Sequence, residues 1–130
     1  GPSGGGAFTA LAVAADGTLW AGNGTTLYRS SDGGTTAAGW TSVKAFGSGK
    51  PVKGIGLAKN DPEFLTVVCD DSTPGDGSVW VSADAVTFEL IPNLANDGWN
   101  AAYFSQVDPN LVYIVGDDDT TRPVMAKLAP

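Results

Sequence analysis

Short apolar stretches alternate along the chain with clusters of Gly, Pro, Asn and Asp roughly every 8 to 12 positions, and no stretch sustains the 3.6-residue period of a helix. The pattern predicts strands throughout. Phe8 leads through Ala10-Leu11-Ala12-Val13 to a turn at Asp16-Gly17, and Leu19-Trp20-Ala21, Leu27-Tyr28-Arg29-Ser30 and Trp40-Thr41-Ser42-Val43 follow as further strand candidates. A second series offers Val52 to Leu57, a turn at Asn60-Asp61-Pro62, Phe64 to Cys69, Ser78-Val79-Trp80-Val81 and Thr87-Phe88-Glu89-Leu90-Ile91. A third begins at Trp99-Asn100-Ala101-Ala102-Tyr103-Phe104, turns at Asp108-Pro109-Asn110, continues through Leu111 to Val115 and Val124 to Leu128, and stops one strand short.

The three series are versions of one sentence. Their turn aspartates Asp16, Asp61 and Asp108 recur at intervals of 45 and 47 residues, the period of four-stranded propeller blades. The expectation is an all-β chain forming a partial β-propeller of about three four-stranded antiparallel blades, near 8–50, 51–95 and 96–130, the last incomplete. The alternative is a β-sandwich whose spacing is coincidental. Residues 8–130 then form a single domain, and the glycine-rich residues 1–7 read as a flexible linker or a tag remnant.

Between the third and fourth strands of the first series lies Ser30-Ser31-Asp32-Gly33-Gly34-Thr35-Thr36, followed after Ala37-Ala38-Gly39 by Trp40. This resembles the Asp box (BNR-type repeat), Ser-x-Asp-x-Gly-x-Thr-Trp, which marks blades of sialidases, sortilin-type receptors and xyloglucan-hydrolysing endoglucanases. Ser30, Asp32, Gly34 and Thr36 match in place, and Trp40 is displaced by three residues. A worn copy, Ser82-Ala83-Asp84-Ala85-Val86-Thr87-Phe88, lacks the box glycine, is one residue shorter and puts Phe88 in the aromatic slot; the third series has no box. An Asp side chain can accept hydrogen bonds from the N–H groups of its own tight turn, and glycine supplies positive φ. The resemblance implies that the motif is structural and sits away from the catalytic face, so Asp32 and Asp84 are expected to mark the fold.

Composition narrows the function classes. At 130 residues with 42% apolar content the chain can bury one core. A formal charge of −7, with seven Lys and Arg in all, provides no basic footprint for a phosphate backbone, so no nucleic-acid partner is expected. No apolar run approaches the roughly 20 residues of a membrane span. Cys69, alone inside Leu65-Thr66-Val67-Val68-Cys69, is expected to be a small buried hydrophobe.

The absence of histidine removes Ser-His-Asp and Cys-His catalysis and histidine-ligated zinc. The sialidases that the boxes resemble hold substrate with three arginines, and this chain has Arg29 and Arg122 alone. Paired carboxylates remain as the alternative, in a fragment of a propeller glycoside hydrolase, although fewer than three blades cannot build the cleft between two propellers that such enzymes use. No catalytic residue is assigned.

The loops after the second strands are Gly22-Asn23-Gly24, Cys69-Asp70-Asp71 and Gly116-Asp117-Asp118-Asp119, which fall on one rim, opposite the boxes. Asp70, Asp71, Asp117, Asp118 and Asp119, with Asp76 and Asp97 nearby, would suit Ca2+, a cation that takes six to eight oxygen ligands. The spacing matches no defined calcium loop, and the competing reading is solvated turn residues, with no cofactor. Trp20, Trp40 and Trp80 are expected in the core, whereas Trp99, beside Asp97 and Asn100 at a loop-to-strand junction, is the best candidate for a ligand contact.

A propeller closes into a ring of four or more blades, so a shorter array leaves apolar flanks to be covered. Self-association, further chain or docking in a larger assembly such as a phage tail would each do so. The expectation is a non-enzymatic binding or architectural module, recognising glycan or protein on an extracellular or virion surface.

Overall fold

In the computed structural model, residues 8–47, 50–59, 61–69, 77–91, 98–105, 111–117 and 123–128 are described. They form an all-β protein, with no helix among them. The first sheet contains β1 (Phe8–Val13), β2 (Leu19–Asn23), β3 (Thr26–Ser30) and β4 (Trp40–Ala45). The second contains β5 (Val52–Leu57), β6 (Leu65–Cys69), β7 (Ser78–Ser82) and β8 (Glu89–Leu90). The third contains β9 (Gly98–Phe104), β10 (Val112–Asp117) and β11 (Pro123–Leu128). Each sheet is an antiparallel meander in chain order, and none closes on itself.

The turns between first and second strands are built alike. The N–H of Ala14 donates to the Thr18 carbonyl (2.9 Å), that of Ala58 to Phe64 (3.0 Å) and that of Ser105 to Leu111 (2.8 Å). In the first two, an aspartate caps the turn: Asp16 accepts from the Thr18 N–H and Asp61 from the Glu63 N–H, both at 3.0 Å. These are Asx-turns, in which a short carboxylate takes the place of a backbone acceptor. Asp108 lies outside the described residues.

Several strand boundaries depart from the sequence expectation, two of them through single hydrogen bonds. Phe64 belongs to a turn, its N–H donating to the Asp61 carbonyl (3.2 Å), so β6 begins at Leu65. Thr87 and Phe88 precede β8, because Asp84 draws the Thr87 N–H into its turn at 2.7 Å.

Cross-strand partners share a sheet face, so register decides what each face meets. In the first sheet, Ala12 pairs with Trp20 and Gly22 with Leu27 on one face. Trp20 and Leu27 pack there with Val52, Leu65, Val67 and Cys69 of the second sheet. The opposite face of the second sheet sends Val68 and Val79 against Ala102 and Ile114 of the third. All five residues of β6 are buried, as a strand covered on both faces requires.

The first strands lie side by side, β1 next to β5 and β5 next to β9. Small residues permit this approach. A Cβ on Gly22 would stand 2.7 Å from Val52, and one on Gly56 would stand 2.9 Å from the Thr66 methyl and 3.0 Å from the Ala102 carbonyl oxygen.

Among the described residues, both ends of the stack carry exposed apolar side chains, although Ala21 and Ser30 on the outer side of the first sheet are buried. On the first sheet, Leu11 pairs with Ala21 and Val13 with Leu19, and Leu11 and Val13 are 63% and 62% exposed. On the third, Tyr103 pairs with Tyr113 and Ala101 with Val115, and Tyr103 is 63% exposed. These are aliphatic and aromatic side chains on strand faces, where a packed sheet would bury them.

Candidate functional site: two serine–aspartate turns and two open faces

The candidate residues of the first turn converge on one carboxylate. Asp32 accepts the Ser30 hydroxyl (2.8 Å) and the Gly34 N–H (3.1 Å) on Oδ1, and the Thr36 N–H (3.2 Å) and Thr36 hydroxyl (2.6 Å) on Oδ2. Ser30 Oγ in turn accepts from the N–H groups of Asp32 and Gly34. The Thr36 and Ser30 hydroxyls hold the Asp32 carboxyl far below the ordinary carboxylate range, since hydrogen bonds to the charged form favour it.

Trp40 lies at the start of β4, paired with Ser30. The three residues that displace it make an extra turn: the Gly39 N–H donates to the Thr36 carbonyl and hydroxyl, the Gly39 carbonyl accepts from Ser31, and the Trp40 N–H donates to the Ala37 carbonyl. A side chain on Gly39 would collide with the Asp32 carboxylate. Gly34, at φ +76°, sits where a Cβ would be 3.3 Å from the Trp40 ring and 3.2 Å from Leu19, so the aromatic packs under the turn.

The second turn repeats the arrangement with fewer parts. The Ser82 hydroxyl donates to Asp84 Oδ1 (3.1 Å), which also accepts the N–H groups of Val86 (2.9 Å) and Thr87 (2.7 Å), while the Asp84 N–H reaches back to Ser82 Oγ. The Thr87 and Val86 amides lower Asp84 to about 2. Positive φ, carried by glycines in the first turn, falls here on Ala85 at 59°. Phe88 packs edge-on against Phe46, at 6.2 Å between centroids, and Phe46 also meets Trp80.

The other candidates are less defined. Trp99 and Asn100 are in β9, but their side chains lie outside the described residues, as do Asp97, Asp70, Asp71, Asp76, Asp118 and Asp119. Asp117 ends β10 opposite Pro123; its side chain is also outside the described set. Among the described residues, no three His, Cys, Asp or Glu side chains gather at one point. No helix among them is long and apolar enough to cross a membrane.

Trp20 is buried, and Trp40 and Trp80 are half-buried. Cys69 is fully buried, and burial pushes its thiol up to about 12, against a smaller downward pull from Ser78.

Sequence reasoning had singled out neither of two further features. A cleft of about 210 Å3 between the β1–β2 and β5–β6 turns is walled by Asp16, Trp20, Arg29, Asp61 and Glu63. In it the Arg29 guanidinium stands 5.7 Å from the Trp20 ring centroid. The Trp20 Nε1–H is buried, with no acceptor among the described residues. The second feature is the specific composition of the open faces, Leu11 and Val13 at one end and Tyr103 at the other. Alternation marks these residues as one side of a strand without saying which side is covered.

Asp16, Asp32 and Asp84 are all displaced downward by hydrogen bonds, whereas a glycosidase acid needs a carboxyl displaced upward. Compared with known protein families and with curated proteins, the chain matches none.

Proposed function

We propose that the chain is a non-enzymatic binding or architectural module, built as a section of an Asp-box β-propeller, that recognises glycan or protein on an extracellular or virion surface. The carrying observation is the repetition of one local device at one place. Both four-stranded sheets join their third and fourth strands through a Ser-x-Asp turn in which the serine hydroxyl and successive backbone amides are gathered by the aspartate.

The side-by-side first strands add support. Leu11 and Tyr103 belong to opposite ends of the stack, yet both border one cleft of about 300 Å3 beside Gly54 and Ile55 of β5. That is expected of sheets fanned about their inner strands, as propeller blades are. The non-enzymatic part rests on the residue inventory, with no histidine and two arginines, and on the downward-shifted turn carboxylates. The step from module to glycan or protein recognition is an analogy at the level of the fold.

Reducing-sugar release from xyloglucan and mixed-linkage β-glucan tests the reading. No release is expected, together with retention on a glycan or protein surface; turnover abolished by a single carboxylate-to-amide change would overturn it.

A further inference from the structure

We propose that the cleft where the three first strands meet binds an acidic sugar, a uronate unit, with Lys53 as the counter-charge to its carboxylate. The proposal deepens the glycan half of the reading above and rests on it. Its argument begins with an irregularity that recurs in register. The turn hydrogen bonds make Ala14, Ala58 and Ser105 equivalent positions. Each follows, five residues on, a residue that its ladder skips. Phe8 pairs with Asn23 and Ala10 with Gly22, Val52 with Cys69 and Gly54 with Val68, Trp99 with Gly116 and Ala101 with Val115.

Thr9, Lys53 and Asn100 are thus the extra residues of three matching β-bulges, and all three are polar. A bulge releases a side chain from the alternation of its strand and re-aims it, a device common beside functional sites. Lys53 shows the effect, exposed between the buried Val52 and Gly54. The first two bulges also meet: a Cβ on Gly22 would stand 2.9 Å from Thr9 Oγ1 and 2.7 Å from Val52.

Directly after the bulges come Ala10, Gly54 and Ala101, small residues that line the cleft of about 300 Å3 together with Lys53, Leu11 and Tyr103. Every described residue lining it belongs to β1, β5 or β9. The volume is at the lower end for small-molecule sites and suits a compact ligand. Each first strand pairs on one side alone, β1 with β2, β5 with β6 and β9 with β10. Their other edges offer N–H donors and C=O acceptors, the groups that sugar hydroxyls require.

Charge selects among sugars. Arg29 and Lys44 lie over the rings of Trp20 and Trp80, whereas Lys53 has no carboxylate partner among the described residues. It is the one charged group lining a cleft whose other described residues are neutral. A carboxylate set among hydroxyls uses the ammonium and the strand edges together, and Tyr103, 63% exposed, turns an aromatic surface to the C–H side of the ring. The net charge of −7 repels a long polyanion, so the fit is to a short uronate.

The test is titration of the full chain, followed by amide NMR, with galacturonate, with galactose, which lacks the carboxylate, and with acetate, which has little else. Galacturonate should shift amides of β1, β5 and β9 around Leu11, Gly54 and Ala102, and should bind about 10-fold or more tightly than either other probe, since a hydrogen-bonded charge contributes about that much. Lys53→Gln should weaken galacturonate about 5-fold or more, and Lys53→Arg should retain it. Lys53 is exposed, and the dispersion of each variant's spectrum verifies its fold.

Shifts confined to other strands, galactose or acetate binding as tightly as galacturonate, or an affinity indifferent to Lys53→Gln would each overturn the proposal. Failure to bind galacturonate with retention on another glycan overturns this site and leaves the broader reading standing; failure with retention on no glycan overturns the site and the glycan half of that reading together.

Discussion

Replacing Gly56 by alanine tests the closeness of the second and third sheets directly. The new methyl would lie 2.9 Å from Thr66 Cγ2, 3.0 Å from the Ala102 carbonyl oxygen and 3.1 Å from its carbon. Relief is hard to find. Thr66 is fully buried and its hydroxyl donates to the Trp80 carbonyl at 2.9 Å, which fixes the rotamer. Ala102 is backbone in β9, tied to Ile114 of β10, so the third sheet must shift as a unit. Overpacking of this kind costs about 1–3 kcal/mol, and the loss of glycine freedom in the unfolded chain returns about 0.4–1 kcal/mol. A net loss of about 1–2 kcal/mol corresponds to a fall in Tm of roughly 4–8 °C for a domain of this size. Differential scanning calorimetry reads it. Adding Thr66→Ser, which removes the nearest methyl and keeps the hydroxyl bond, should recover part of the loss, a coupling that a double-mutant cycle isolates. An unchanged or raised Tm for Gly56→Ala would refute the close approach of β5 and β9.

Other outcomes follow from the turns and the core. Asp32→Ala should lower Tm by several degrees and more than Asp84→Ala, because Asp32 gathers donors on both oxygens and Asp84 on Oδ1; equal effects in thermal melts would contradict this. Asp84 is depressed from 3.8 to about 2, so its contribution is present above the unfolded value and is lost as pH falls through the folded one. Melting temperature should therefore drop between about pH 4 and pH 2, and Asp84→Asn should flatten that segment of the profile. Cys69, buried and with its thiol raised to about 12, should resist iodoacetamide at pH 8 in the native protein and react fully in denaturant, as mass spectrometry would record; rapid native labelling would place the thiol at the surface.

The strands were largely legible in the sequence because two local signals coincide, apolar alternation and turn residues that bind their own backbone. Leu65 to Cys69 shows the limit of alternation. Every position is apolar or Thr and every position is buried, a pattern that says "covered on both faces" without naming the covers. Two of the boundaries that moved did so through single hydrogen bonds, the Phe64 amide to Asp61 and the Thr87 amide to Asp84. The displaced Trp40 looked like a flaw in the motif. Its place in β4 depends on Gly39, whose need to lack a side chain arises from a carboxylate seven residues earlier and is invisible to local propensity. Which faces stay open was least legible, because Leu11 and Val13 have the same composition as residues that are buried.

Among the described residues, the middle sheet has a neighbour on each side, and the outer two have one apiece. Amide protons of β6 should thus exchange with deuterium through the deepest opening of the molecule, while β1 and β11 fray at lower cost, giving a gradient from the centre outward. On the repeat reading proposed above, such an array would behave as a short one-dimensional polymer, whose stability grows with each neighbour contact. Lengthening it by one more unit would protect a former end without redesigning anything already packed.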